Sequence, residues 1–172
     1  MGSRERIPEV EKDWLFPPTI YWQGHLDLDD FTENFENWIQ DNGEMENSRG
    51  MMTTWEYSEI EPHEEDWIAE VLQQISPIET FENSWGQIYG TGGFHPNHNH
   101  IADDNMMSGC LYLTDGPGTM FQDPLRPSRH TCKQVKAGDY MLWSPYLYHC
   151  SPPHHSQRTI LAFNLNEYET SK

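Results

Sequence analysis

Residues 106–122 read MMSGCLYLTDGPGTMFQ, and this stretch decides the fold class. Two short runs rich in apolar and aromatic residues, Met106–Thr114 and Gly118–Gln122, flank the turn signal Asp115-Gly116-Pro117-Gly118. Short runs of this kind, separated by Gly, Pro and Asp, are typical of β-strands joined by tight turns. We therefore expect a mainly β protein.

The same pattern continues on both sides of this stretch, from about Glu79 onward. Further candidate strands are Phe81–Tyr89, Thr131–Val135, Tyr140–Ser144 and Arg158–Leu165. Many short strands at such spacing predict a β-sandwich or barrel.

The first part of the chain has a mixed pattern. A short strand is predicted at residues 19–22 and another over Met51–Tyr57, and apolar residues at helical spacing predict helices over Leu28–Gln40, capped by Asp27, and Pro62–Ile75. We expect these helices to pack against one sheet. A length of 172 residues favours a single domain, 1–172, with residues 1–78 as an N-terminal strand and packing helices and residues 79–168 as the core that carries the site.

The composition restricts the partners and the compartment. With 28 acidic and 10 basic residues, the formal net charge is −18, which disfavours nucleic acid and anionic membrane surfaces. Cys110, Cys132 and Cys150 form no CxxC pair, so a disulfide framework is not expected and a reducing, cytoplasmic location fits. No apolar run has the length of a membrane span.

Histidines are concentrated in residues 94–100, FHPNHNH. In extended backbone His98 and His100 point to the same side, where two imidazoles can hold one metal ion. His149, which follows an apolar strand and a turn, is the best candidate for a third ligand. The alternative is that each histidine is an ordinary surface or core residue, which we expect of His25, His63 and His130.

Arg158 opens the apolar strand Thr159–Asn164, nine residues after His149. An arginine that points into a barrel is costly unless it meets an anion, and guanidinium binds a carboxylate through two parallel hydrogen bonds. The alternative is an edge arginine that pairs with one of the many acidic side chains.

This ordered set of residues resembles the Fe(II)- and 2-oxoglutarate-dependent oxygenases. In that family a His-x-Asp/Glu pair and a distal His bind iron, and a later Arg binds the distal carboxylate of 2-oxoglutarate. The resemblance is closest to a small group whose pattern matches His98-Asn99-His100, Ser108–Leu113, Phe121–Pro124, Gly138-Asp139, His149, Arg158 and Phe163-Asn164. It implies a double-stranded β-helix (a jelly roll, cupin-like), with Fe(II) as cofactor and 2-oxoglutarate as co-substrate.

Two departures from the family pattern bear on the site. His100 occupies the usual carboxylate position, so the resemblance implies a three-His site, or a carboxylate ligand from Asp103, Asp104 or Asp123. Ile160 stands where the family commonly has the Ser of Arg-x-Ser, and Tyr112 matches a strand tyrosine that often fills that role.

The resemblance implies an oxygenase, and more narrowly a hydroxylase. Its expected substrate is a small molecule or a peptide, which the sequence does not identify. A homodimer through sheet edges is compatible with it. Two rival functions remain open: a cupin-like three-His metalloenzyme that does not use 2-oxoglutarate, and a non-catalytic jelly-roll binding module.

Overall fold

A computed structural model describes residues 11–16, 19–46, 50–52, 62–75, 80–101 and 107–166. In these ranges the chain forms twelve strands, two α-helices and one turn of 3-10 helix. The strands are β1 Glu11–Phe16, β2 Thr19–His25, β3 Glu44–Glu46, β4 Gly50–Met52, β5 Thr80–Tyr89, β6 His95–His98, β7 Met107–Tyr112, β8 Gly116–Asp123, β9 Arg126–Val135, β10 Asp139–Trp143, β11 His149–Ser151 and β12 Arg158–Asn166. The helices are α1 Phe31–Asn42 and α2 Asp66–Ile75, and the 3-10 turn is Pro62–Glu64.

The strands form two antiparallel sheets. The large sheet has eight strands in the order β1-β2-β10-β7-β12-β5-β4-β3, and the small sheet has four in the order β6-β11-β8-β9. The expected sandwich or barrel of many short strands is therefore confirmed. Strands β1–β4 precede residue 78 yet belong to the same sheet as later strands, and the division of the domain at residue 78 stays a prediction.

Both helices lie on the large sheet, as expected. Their apolar residues form one buried cluster with residues of β5, β7, β10 and β12. Gly86 on β5 lets α1 approach closely, because a Cβ there would lie 2.7 Å from the ring of Phe35 and 2.8 Å from Ile39. The helices thus cover one face of the sheet and leave the other face to the small sheet.

The first helix begins three residues later than predicted. Phe31 N–H donates to the Leu28 carbonyl at 2.7 Å, so residues 28–31 form a turn, and Asp29 has a positive φ of 41°. Asp30, not Asp27, is the N-cap residue, although its side chain forms no capping hydrogen bond. Apolar spacing at Leu28 therefore reflects packing of this turn and not helical backbone.

A second buried cluster lies between the two sheets. It contains side chains of the large sheet, among them Tyr112 and Trp143, and side chains of the small sheet, Phe121 and Val135. These residues join the sheets and form much of the surroundings of the site.

The sequence pattern missed β1, β3, β6 and β11 and predicted β8 and β9 too short. Strand β9 begins at Arg126, and residues 126–130 are all exposed, so no apolar alternation marks them as a strand. Of the predicted strand Met51–Tyr57, only the first two residues lie within the described part, in β4. None of the described helices has both the length and the apolar character needed to span a bilayer.

Candidate metal and anion site

The small sheet brings His98 and His149 together. His98 ends β6, His149 begins β11, and the two are directly paired in the antiparallel ladder. His100 follows β6 and is fixed by its own N–H, which donates to the Pro145 carbonyl at 2.9 Å. One ligand nitrogen from each ring lies within 4.8 Å of the other two. The structure thus brings the three histidines that the sequence predicted as ligands into one group.

Backbone carbonyls orient two of the three rings. His98 Nδ1–H donates to the Pro96 carbonyl, and His149 Nδ1–H donates to the Leu147 carbonyl, each at 2.9 Å. A carbonyl only accepts, so each Nδ1 carries the proton and each Nε2 holds the lone pair. This arrangement, in which a histidine donates one ring N–H to a fixed carbonyl, is common behind metal-binding imidazoles.

The electrostatics keep His149 neutral. Burial lowers the pKa of His149 well below its ordinary value, and the neighbouring His98 lowers it further. A metal ion binds the neutral form of imidazole, so His149 is in the right state at neutral pH.

Of the carboxylates that the sequence offered as alternatives, only Asp123 lies among the described residues, and it is not part of this group. Asp103 and Asp104 lie outside the described residues. Asp123 is the buried last residue of β8, its Oδ1 accepts a hydrogen bond from Leu125 N–H at 2.9 Å, and it does not belong to the histidine group.

The remaining histidines have other surroundings. His25 pairs with Asp139, His63 bonds to Ser84, and His130 is exposed, in line with the expectation for these three. His95 is buried and its ring stacks on His98 with centroids 4.4 Å apart. It lies beside the three-histidine group but is not one of its members.

Arg158 is a buried cation, only 4% exposed, at the start of β12. Its two terminal nitrogens donate to the carbonyls of Pro117 at 3.2 Å and Pro152 at 2.7 Å. Its Nε has no partner, and no described carboxylate pairs with it. Burial lowers the pKa of this guanidinium from its ordinary value. Among the described residues, the alternative of an edge arginine paired with an acidic side chain therefore does not hold.

Tyr112 is buried beside Arg158 on the neighbouring strand β7. Its hydroxyl lies 2.8 Å from Thr119 Oγ1, accepts the Thr119 N–H at 3.0 Å and lies 3.5 Å from Met141 Sδ. Burial raises the pKa of Tyr112 well above its ordinary value, so the hydroxyl stays protonated. The sequence did not point to Thr119, which fixes this hydroxyl.

A single cavity joins the histidines to the arginine. Its walls include His98, His100, His149, Tyr112 and Arg158. Trp143, which sequence reasoning did not single out, also lines it, with its ring 5.0 Å from that of His149 and its buried Nε1 without a partner among the described residues. The site therefore has a histidine end and a cationic end.

Comparisons with known proteins agree with this architecture. No protein-family model matches the chain, and no curated protein matches it. Three solved structures illustrate the likeness in fold. A prolyl-4-hydroxylase from Pseudomonas putida is 17% identical, with 86% of this chain and 92% of that chain covered and a TM-score of 0.58.

The other two are similarly distant in sequence. The non-haem α-ketoglutarate-dependent carbocyclase SnoK from nogalamycin biosynthesis is 11% identical, with 88% and 81% covered and a TM-score of 0.61. HygX from Streptomyces hygroscopicus, solved with iron bound, is 12% identical, with 90% and 85% covered and a TM-score of 0.59. The chain therefore has the double-stranded β-helix fold of these structures, as the sequence predicted.

Proposed function

We propose that this protein is a non-haem Fe(II)- and 2-oxoglutarate-dependent oxygenase, acting as a hydroxylase. His98, His100 and His149 would hold the iron, and Arg158 would bind the distal carboxylate of 2-oxoglutarate. The fold shared with solved structures of such oxygenases supports the proposal, but at such low identities it does so only at the level of architecture.

One observation carries the proposal. A buried arginine without an anionic partner among the described residues lines the same cavity as three neighbouring imidazoles. Burying an unpaired guanidinium is costly, and its lowered pKa reflects that cost. A dicarboxylate with one end at the histidines and the other at Arg158 would offset this cost, because charge-assisted hydrogen bonds between guanidinium and carboxylate are strong.

The residues present fit these groups. Imidazole suits Fe(II), and three ligands leave an open coordination face. When bound, iron supplies the oxidative chemistry, and the chain supplies orientation. Pro96 and Leu147 carbonyls fix two rings, Thr119 fixes the Tyr112 hydroxyl, and that hydroxyl would donate to the co-substrate carboxylate where the family has a serine. Apolar neighbours such as Ile160 exclude water.

The test is the visible spectrum of anaerobic protein loaded with Fe(II), before and after addition of 2-oxoglutarate. We expect a weak charge-transfer band that requires 2-oxoglutarate. In Arg158→Gln the band should appear only at about 10–100-fold higher 2-oxoglutarate, the value of a charged hydrogen bond of about 1.5–3 kcal/mol. The matched control is Lys133→Gln, which removes a cation on β9 that does not line the cavity. An unchanged titration in Arg158→Gln would contradict the assignment of the co-substrate.

The third imidazole favours a second candidate, a cupin-like three-His metalloenzyme that does not use 2-oxoglutarate. His100 stands in the group where the family has a carboxylate, and no described carboxylate joins it. Iron binding without the band in the native protein would favour this candidate. Absence of metal binding would favour a non-catalytic binding module.

The remaining features are proposals of the same kind. We infer a single domain in the cytoplasm, since all three cysteines are free thiols. We expect a small-molecule or peptide substrate and no nucleic acid, and a homodimer through sheet edges is compatible with the two open sheets.

A further inference from the structure

Exposed apolar side chains are concentrated beside strands β6, β8 and β11 of the small sheet. The structure describes six exposed large apolar residues, and only Met45 lies elsewhere, on β3 of the large sheet. We call the other five the rim: Phe94, Ile101, Leu125, Tyr146 and Tyr148. Tyr146 is 68% exposed and Leu125 is 74% exposed. Scattered exposed apolar residues are ordinary, but a group of them marks an interaction site.

Most rim residues are close in sequence to histidines of the site. Phe94 precedes β6, Ile101 follows His100, and Tyr148 precedes His149. The loop that carries Tyr146 is held by the bond from His100 N–H to the Pro145 carbonyl. Ile101, Tyr146 and Tyr148 therefore lie within three residues of His100 or His149 in the chain, and Phe94 lies next to His95.

Gln122 attaches the hairpin between β8 and β9 to the rim. Its N–H donates to the Tyr148 carbonyl at 2.9 Å, and its side chain donates to the Pro127 carbonyl at 2.6 Å. Its side-chain oxygen accepts from Asn97 Nδ2 at 2.9 Å. We call the tip of this hairpin, residues 123–130, the arm.

The arm carries positive charge in a strongly acidic protein. The arm contains two arginines and one acidic residue, the buried Asp123, and residues 124–130 are all exposed, whereas the net charge of the chain is −18. Lys133 and Lys136 follow the arm in the chain. Lys136 pairs with Asp115 and Lys133 lies over the ring of Tyr21. Arg126 and Arg129, by contrast, have no side-chain bond to a described residue, so the charge of the arm is available to a partner.

We propose that the rim and the arm together bind an acidic peptide segment that contains aromatic or other apolar residues, and that this segment is the substrate. The inference rests on the proposed function. Charge complementarity selects the arm, because an acidic segment is repelled by most of the remaining surface.

Two further features favour a peptide. The rim is spread over several loops and is open to solvent, so it suits an extended occupant more than an enclosed metabolite. Strand β9 is an edge of the small sheet, and its backbone groups can pair with an added strand. Two arginines are fewer cations than the phosphate contacts that nucleic-acid binding commonly requires.

The test measures binding to the metal-free chain of residues 1–172, so that it does not depend on iron or 2-oxoglutarate. The probe is a fluorescein-labelled random copolymer of glutamate and tyrosine, followed by anisotropy. Polyglutamate, a copolymer of lysine and tyrosine, and oligothymidylate serve as comparison probes. The variants are Arg126→Glu with Arg129→Glu, and Tyr146→Ser with Tyr148→Ser. Their matched controls are Lys133→Glu with Lys136→Glu, and Met45→Ser.

We expect the glutamate–tyrosine copolymer to bind best, and each pair of rim or arm substitutions to weaken it roughly tenfold. The controls should change binding less than about twofold, because substitutions outside the rim and the arm have small electrostatic effects. Equal binding of all variants, equal or tighter binding of oligothymidylate, or equal binding of polyglutamate would each overturn the proposal. So would self-association in sedimentation that Arg126→Glu with Arg129→Glu abolishes, because the occupant would then be a second copy. Failure here leaves the 2-oxoglutarate band untouched, and loss of that band leaves this binding untouched.

Discussion

The two sheets differ in strand length and carry different ends of the cavity. In the large sheet, β12 pairs with β5 along nine residues and with β7 along six, and it carries Arg158. In the small sheet, β11 has three residues, pairs with each neighbour at only two positions, and carries His149. The long, regular strands hold the cationic end of the cavity, and the short, irregular ones hold the histidine end.

Stability depends mainly on the large sheet, and ligand binding depends mainly on the histidine end of the small sheet. The large sheet and the two helices share a buried apolar cluster, so substitutions there should affect folding. The histidine end depends on short strands and loops, whose substitutions should affect ligand binding while the fold persists.

Phe163→Ala should have the largest effect. Phe163 is fully buried in the large-sheet cluster and packs edge-to-face on Phe81, with ring centroids 5.4 Å apart. We expect a loss of about 3–5 kcal/mol in the free energy of unfolding, measured by urea denaturation. Leu125→Ala, on the exposed arm, should change it by less than about 0.5 kcal/mol. Similar losses in the two variants would break the contrast between the sheets.

His149→Ala should affect the metal and not the fold. Because one of three ligands is lost, we expect affinity for Fe(II) to fall by at least about 100-fold, the upper end of what loss of a supporting residue costs. Anaerobic titration calorimetry measures it, and circular dichroism checks the fold. His154→Ala, which removes a histidine outside the three-histidine group, should bind Fe(II) normally. Normal affinity in His149→Ala would refute its role as a ligand.

The stability of the metal-free protein should depend on pH through His149 at the histidine end. The pKa of His149 lies well below 6.5 in the folded protein, so the unfolded chain binds a proton that the folded protein excludes. Stability of the metal-free protein should therefore fall as pH decreases below 6.5. The slope contributed by this residue is at most about 1.4 kcal/mol per pH unit. Urea midpoints just above and below that pH measure it, and the slope should be shallower in His149→Gln. Parallel slopes would show that other groups dominate.

Tyr112→Phe should have the smallest effect, at the cationic end. Removing the hydroxyl takes one hydrogen bond from the proposed co-substrate, worth about 1 kcal/mol, so 2-oxoglutarate should bind about fivefold more weakly. The same spectroscopic titration measures it, with iron affinity as the internal control. Unchanged 2-oxoglutarate affinity would show that the Tyr112 hydroxyl does not bind the co-substrate and only forms its hydrogen bonds with Thr119.

The sequence predicted the strands that are buried and apolar. Strand β12 and strand β5 were found nearly in full, because their side chains pack on both faces of the large sheet. Strands β6 and β11 were not found, since residues such as His95 and Ser151 show no apolar alternation. The prediction of helix α1 was three residues too long at its start, because Leu28 packs from a turn.

The candidate site was predicted in part. His98, His100 and His149 stand out by residue type and spacing, and Arg158 by its place before an apolar strand. Trp143 and Thr119 carried no such signal, because a strand aromatic and a strand threonine are ordinary core residues. Their contribution depends on which strands face each other, and only the fold determines that.

The pairing of distant strands has a consequence for synthesis of the protein. Strand β2 pairs with β10, and β6 pairs with β11, so both pairs join early and late parts of the chain. His98 therefore leaves the ribosome long before its partner strand exists, and Arg158 follows later still. Non-local pairing of this kind is slow to form. The three-histidine group is consequently completed only after β11 has been synthesised, and a metal ion that needs all three imidazoles would bind after that point.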